Sequence, residues 1–433
     1  MAVETPENNP PCCFCDLPDD LLAEILSRLL VKTLCSLRCV CKKLYNFVSN
    51  PNFQNLHHQK SKKTPMLFYL DQSFIKRGST RINSCKLRGM NLDGDLTYDT
   101  SLYAGDQISS CDMFEIVPSY SNTDLICLAS SNTFYLCNPS IHQLVQLPDV
   151  VPSLYCYDDM RGGFGYSPTS DEYVVIHLTF DVSSIASCEV LSFSNKTIGA
   201  IDFAWRKFDD KLLPYYQFAE EWGILVDRIF YWRVLNEEFF ECIISFDLDE
   251  EKFRMVPPHP TACFTTNSEG IDHDKSLSLI DLKGQLCLVD PSHVAQDQTV
   301  EIYMLMIDEK KKNETSSSWT KLFSFPLQGF NFKVQNFVPL GDVDGDGDGD
   351  GGFLFYITNG YQVEDSSEEE EDEEPYLDYF LSRDFVRSVW FHDRQNNHFR
   401  KFEKDLNLKV ASKLNMISYL CLHTDNFFKI RNT

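Results

Sequence analysis

Five aspartates in one short run have the alternate spacing of a divalent cation site. The run Gly341–Gly352 reads GDVDGDGDGDGG, with an acid at every second position from Asp342 to Asp350. A calcium-binding EF-hand loop needs such alternation and also a bidentate acid at its twelfth position. Counting from Asp342, that position is Phe353, and the next two starts also place an apolar residue there. The run therefore favours a flexible Gly-Asp loop over a specific calcium site.

Thiols and imidazoles in the first sixty residues include the side-chain types that bind zinc. Cys12, Cys13 and Cys15 precede His57 and His58, but this spacing matches no standard CxxC or HxxxH pairing. The sequence also lacks the G-x-S-x-G nucleophile turn, the P-loop, and a G-x-G-x-x-G following a strand. We therefore predict no metal, no cofactor and no catalytic residue.

The charge of the chain excludes some classes of partner. The 433 residues include 64 acids and 39 bases, for a formal charge of −25. Nucleic-acid binding needs a basic face, and an anionic membrane repels an acidic protein, so we predict neither partner. The segment Glu364–Glu374 and the Asp-Gly run together carry −14, which leaves −11 for the remainder. Most of the charge therefore lies in two predicted disordered insertions, at 341–352 and 361–375.

The N-terminal sequence predicts the compartment of the protein. Residues 1–15 read MAVETPENNPPCCFC, with neither a basic region nor an apolar core of a secretory signal, and predict a disordered tail. The sequence has no stretch of 18 apolar residues that could span a membrane. We expect the cytoplasm, the nucleus or both, and expect most of the 16 cysteines to be free thiols in the core.

Residues 16–60 have the spacing of amphipathic helices. Asp16 and Pro18 are suited to start a helix, after which leucines and isoleucine recur as pairs every four residues up to Leu30. A second helical pattern runs over Thr33–Val48, and a short helix follows Pro51. About 45 residues bury too little core to be strongly stable alone. Periodicity leaves open whether their apolar face covers the rest of the chain or binds a partner.

From residue 65 to 430 the pattern predicts one large all-β domain. Short runs rich in Val, Ile, Phe and Tyr alternate with turn residues. Gly163-Phe164-Gly165 is interpreted as a turn before a strand. The predicted strands are Asp124–Leu128, Thr133–Leu136, Tyr173–Leu178, Arg228–Val234, Cys242–Leu248, Gln285–Val289, Glu301–Ile307, Phe353–Thr358 and Ser388–His392. About 365 residues at about 40 to 50 per repeat predict a β-propeller of six to eight blades, with stacked immunoglobulin-like sandwiches as the alternative. The fold class is thus segregated α+β.

The helical segment resembles an F-box. The resemblance rests on LPDDLLAEILSRL from Leu17, VKTL from Val31, RCVCKK from Arg38 and SNPNF from Ser49. Leu30 and Leu44 stand where the family usually has proline and tryptophan. The β domain resembles the F-box-associated interaction domain of plant F-box proteins, in the F-box/kelch-like family. Its segments are NPS with LP from Asn138, GFGYSP with DEYVV from Gly163, ISFDL with EKF from Ile244, and SWTKL from Ser318.

The resemblance implies a non-catalytic subunit of an SCF ubiquitin ligase. In that family the F-box binds a Skp-family adaptor and through it a cullin, and the β domain binds a target protein for ubiquitination. The alternatives are an interaction module that acts outside ubiquitin transfer and an enzyme on a propeller scaffold. The residues expected to supply the adaptor-binding surface are Leu17, Pro18, Leu21, Leu22, Ile25, Leu26, Leu29, Leu34, Val40 and Leu44.

Overall fold

A computed structural model describes the helical segment and most of the β domain. The described residues are 17–77, 80–91, 95–102, 114–120, 124–130, 133–150, 160–180, 185–194, 203–208, 217–218, 222–235, 241–257, 277–290, 299–307, 317–326, 334–343, 352–359, 386–393, 398–401 and 420–430. The predicted tail at 1–15 and the acidic insertion at 361–375 lie outside them. So does the Asp-Gly run between Val343 and Gly352.

Four helices form the N-terminal unit. They are α1 (Asp19–Leu26), α2 (Val31–Leu37), α3 (Lys42–Val48) and α4 (Pro51–Ser61). The prediction of one continuous helix over Thr33–Val48 is wrong, because Cys41 is extended (φ −156°, ψ 162°) and its Sγ accepts the Leu44 N–H at the start of α3. The break allows two short helices to pack against α1, which one straight helix would not. None of the described helices is long and apolar enough to span a membrane.

The described strands form six blades, of which five have four strands and blade 4 has a fifth, the two-residue β12 that pairs with β14. Blade 1 contains β1 (Met66–Arg77), β2 (Thr80–Met90) and β3 (Leu96–Ser101). Blade 2 contains β4 (Glu115–Val117), β5 (Ile126–Ser130), β6 (Thr133–Asn138) and β7 (Gln143–Gln146). Blade 3 contains β8 (Arg161–Ser167), β9 (Glu172–Phe180), β10 (Ile185–Phe193) and β11 (Arg206–Phe208). Blade 4 comprises β12 (Gln217–Phe218), β13 (Trp222–Val226), β14 (Ile229–Leu235), β15 (Glu241–Asp247) and β16 (Lys252–Val256). Blade 5 contains β17 (Ser278–Leu282), β18 (Gln285–Asp290), β19 (Thr299–Ile307) and β20 (Ser317–Pro326). Blade 6 contains β21 (Val334–Val343), β22 (Gly352–Asn359), β23 (Val386–Asp393) and β24 (His398–Lys401). The fourth strand of blade 1 is β25 (Leu420–His423).

Blade 1 is completed by a strand from the far end of the sequence. β25 pairs antiparallel with β1, with Met66 opposite His423 and Tyr69 opposite Leu420. The resulting order is β25-β1-β2-β3, so β25 occupies the place that β4 has in blade 2. Every predicted strand is present, and the blade count lies at the lower end of the predicted range.

The cores of the propeller lie between neighbouring blades. Phe68 and Leu87 of blade 1 pack against Leu128 of blade 2, and Phe134 of blade 2 packs with Phe164 of blade 3. A third core joins blades 3 and 4 around Trp232. Five of the ten described cysteines are buried, which raises the pKa of thiols such as Cys85 to about 12.

Glycines allow blades 3 and 4 to meet directly. β8 and β13 pair parallel, with Gly163 opposite Gly223. A Cβ on Gly163 would lie 2.8 Å from the Phe230 ring, and one on Gly223 would lie 2.3 Å from Nε1 of the Trp232 indole. That indole instead rests on the bare backbone and donates to the Gly162 carbonyl at 2.9 Å. The prediction that Gly163-Phe164-Gly165 forms a turn is therefore wrong, since glycine is required here for close packing within a strand.

A buried carboxylate makes blade 5 sensitive to pH. Asp281 Oδ1 accepts the Gly284 N–H at 2.7 Å in the turn between β17 and β18, and burial raises the pKa of this carboxyl from 3.8 to about 6. A raised acid pKa means that the folded state binds the proton more tightly, so stability is lost as the pH rises from about 4 to about 6.

Asp281→Asn is expected to raise the free energy of unfolding at pH 7.5 by about 1 to 3 kcal/mol. The amide keeps an oxygen for the Gly284 N–H and carries no charge. The gain should shrink as the pH falls towards 4, because the folded carboxyl is then protonated and the unfolded one, with a pKa of 3.8, is close to half protonated. Urea titrations between pH 4 and 8 measure this, with Asp20→Asn at an exposed carboxylate as the control. A gain that is equal at both pH values would contradict the assignment.

Candidate functional site

The helical unit closes a small core of its own. Leu22 and Leu26 of α1 pack with Leu34 of α2 and with Leu44 of α3, and all four side chains are buried. Leu17 and Leu29 are half-buried against the same cluster. Six of the ten residues predicted to bind the adaptor therefore contribute to holding the helices together.

The other four predicted residues face solvent. Leu21, Ile25 and Val40 are 52%, 42% and 62% exposed, and Pro18 is exposed before the first turn of α1. Leu21 and Ile25 are one turn apart on the same helix face. We refer to Pro18, Leu21, Ile25 and Val40 as the exposed apolar surface.

Polar contacts join the helices at the two ends of α1. Near its start, Lys43 donates to the Leu17 carbonyl at 3.0 Å and lies 3.6 Å from the Asp19 carboxylate. This contact joins the start of α3 to the start of α1. Near the other end, Glu24 accepts from Arg28 at 2.5 Å and from Lys60 of α4 at 2.9 Å. These two hydrogen bonds lower the pKa of Glu24 to about 2.

Sequence reasoning missed one exposed aromatic residue of the helical unit. Tyr45 of α3 is 55% exposed. Its position follows from the break before α3, which turns this helix relative to α2, and the assumption of a continuous helix obscured it. Tyrosine is enriched at protein interfaces, so it is a natural addition to the exposed apolar surface.

The residues that first suggested metal chemistry have other partners. His57 Nε2 lies 2.8 Å from the Leu29 carbonyl, and His58 Nε2 lies 3.5 Å from Asp124 of the propeller. Across the described ranges, no three His, Cys, Asp or Glu side chains come together as metal ligands would. Cys12, Cys13 and Cys15 lie outside these ranges.

In the described part of the chain, a four-helix unit with exposed aliphatic side chains is seated on a six-bladed β-propeller. Those two parts define a modular protein with a helical unit and a separate propeller surface. Comparison with known families gives the same division. The F-box domain family matches residues 14–56, and the F-box associated beta propeller domain family matches residues 99–343. The chain belongs to the plant F-box proteins that carry an F-box-associated β-propeller domain.

Relatives of this chain occur in Arabidopsis thaliana. F-box protein At3g57590 is 24% identical over 344 residues, which cover 76% of this chain and 77% of the relative. F-box protein CPR1 is 24% identical over 329 residues, covering 71% and 72%. Among solved structures, the beta-propeller domain of the Trilobed protease from Pyrococcus furiosus overlaps 68% of this chain and 73% of its own. Its TM-score is 0.32 at 10% identity, a likeness that carries no argument about function.

Proposed function

We propose that this protein is the target-recognition subunit of an SCF ubiquitin ligase. In this proposal the exposed apolar surface binds a Skp-family adaptor, the adaptor joins a cullin, and the propeller binds a target protein. The observation that supports it most is the exposure of Leu21, Ile25 and Val40 on a unit whose own core is closed. Grouped aliphatic side chains in water are stabilised when a partner covers them.

The proposed subunit is non-catalytic and acts by proximity. Holding a target lysine near a charged conjugating enzyme raises its effective concentration, and no bond is made or broken on this chain. The exposed aliphatic contacts would supply most of the adaptor affinity. Lys42, Lys43 and the other bases of the helical unit would mainly affect the rate of encounter. Such ligases act on cytoplasmic and nuclear proteins, and we propose the same compartments for this one.

Affinity purification of the full-length protein from plant tissue with the proteasome blocked tests this function. We expect a Skp-family adaptor and a cullin to copurify, together with at least one ubiquitinated protein. A variant that lacks the propeller should not capture that ubiquitinated protein. Capture of the adaptor without a cullin and without any ubiquitinated protein would overturn the ligase role. That result would favour an interaction module outside ubiquitin transfer.

A further inference from the structure

One segment of the chain lies between the helical unit and the propeller. Residues 424–430 follow β25 directly, and Thr424, Asp425 and Asn426 are all buried. We call Thr424–Ile430 the clasp.

The odd-numbered residues Asp425 and Phe427 contact the helical unit. Asp425 Oδ2 accepts the N–H of Val31, the first residue of α2, at 2.6 Å, and lies 4.0 Å from His57 Nε2 of α4. Phe427 packs against the helical core and meets the His57 ring edge-on, with ring centroids 5.5 Å apart. The Arg38 guanidinium lies 5.3 Å from the centroid of the same phenyl ring.

The even-numbered residues contact blades 2 and 3. Asn426 donates to the Asp124 carbonyl at 2.8 Å and accepts from Asn138 at 2.7 Å. Phe428 meets Tyr173 of blade 3 edge-on at 5.3 Å, and Ile430 is buried in the core that joins blades 2 and 3. The clasp is thus fixed to the propeller on one side and to the helices on the other.

Asp425 contacts the helical unit and blades 1 and 2. Its Oδ1 accepts the hydroxyl of Tyr98, in β3 of blade 1, at 3.1 Å, while its Oδ2 holds α2. Burial raises the pKa of this carboxyl. The groups that face it include the Val31 N–H of α2, His57 of α4, Tyr98 of β3 and Ser140 between β6 and β7. Direct contacts add to the joint, since Leu30 packs into the core of blades 1 and 2.

We propose that the clasp fixes the helical unit at one angle on the propeller, with Asp425 as the positioning residue. The two parts then move as one body. The value of a fixed angle for ubiquitin transfer rests on the proposed function, because it would hold a bound target at one position relative to the adaptor. The fixed angle itself does not depend on that function.

A distance measurement between the two parts tests the proposal in the full-length protein. Spin labels are placed at the exposed Asn55 of α4 and Lys207 of β11 as non-canonical amino acids, because the 16 cysteines would also react with thiol labels. We expect one narrow distance distribution in the wild type. The double variant Asp425→Ala/Phe427→Ala should give a broad one, with the thermal unfolding of the propeller little changed. Lys429→Ala, at the exposed position of the same segment, should remain narrow.

An unchanged narrow distribution in the double variant would overturn the proposal. Should that variant not fold, the single variant Asp425→Ala provides a milder change. It removes the oxygen that accepts the Val31 N–H, so amide exchange at Val31 should accelerate about tenfold. Equal protection of Val31 in both proteins would likewise refute a positioning role. Adaptor binding is measured separately, so failure of the proposed function is distinguishable from failure of the clasp.

Discussion

Replacing Leu21 and Ile25 together by alanine is expected to weaken binding of a purified Skp-family adaptor by about thirtyfold or more. Both side chains project from α1 into solvent, so truncation removes apolar area from the proposed interface and little from the core. Anchor residues at interfaces cost about 1 to 2 kcal/mol each on truncation, and two of them correspond to a factor of about 30 to 1,000 in Kd. Isothermal titration calorimetry on the full-length protein measures the change.

The neighbouring pair Leu22 and Leu26 supplies a matched control. The same double change to alanine acts on the same helix but removes buried side chains, each worth about 2 to 5 kcal/mol. We expect that variant to lose the helical unit, seen as rapid proteolysis of residues 17–64. The Leu21/Ile25 variant should resist protease like the wild type. Full-strength adaptor binding by the Leu21/Ile25 variant would place the interface elsewhere.

Gly162→Ala is expected to destabilise the propeller by about 3 kcal/mol or more. The added Cβ would lie 2.1 Å from the Ile176 carbonyl oxygen in β9, the strand paired with β8. A backbone atom within a ladder cannot shift without disturbing its hydrogen bonds, so the strain spreads to the contact between blades 3 and 4. Urea unfolding followed by tryptophan fluorescence measures the loss, since Trp232 donates to the Gly162 carbonyl.

Gly284→Ala makes the same chemical change where space is open. Gly284 has a φ of +78° and nothing within 4 Å of an added Cβ. We therefore expect only the backbone cost of about 1 kcal/mol. Equal losses at both glycines would show that the strand pairing does not constrain Gly162.

Local pattern predicted the elements of this fold better than their arrangement. The nine predicted strands were visible because each alternates or concentrates β-branched and aromatic residues between turns. β8 was missed because its glycines are typical of a turn. Glycine is needed there because an indole and a phenyl ring from β14 pack against the backbone, and no local pattern records that contact. The helix break at Cys41 was missed because the helical spacing of apolar residues continues through it. That spacing continues because α2 and α3 both pack their apolar residues against α1.

The candidate site was predicted only in part, for a related reason. Helical periodicity identified ten apolar residues of the unit but could not divide them between its core and its surface. The structure makes that division, with Leu22 inside and Leu21 outside. The contacts of Asp425 and Phe427 lie nearly 400 residues away along the chain, so no spacing within the helical segment could indicate them.

The pairing of β25 with β1 has a consequence for synthesis on the ribosome. About 350 residues separate the two strands, which at about 5 to 20 residues per second is a delay of about 20 to 70 seconds. Throughout that interval the edge of β1 along Met66–Tyr69 lacks its partner, and Val31 and Tyr98 lack the carboxylate that joins them. An open edge of this kind is a template for pairing with other chains. The edge of β1 is therefore open to such pairing for most of the time that the chain takes to be made, and blade 1 receives its fourth strand only when the last residues are translated.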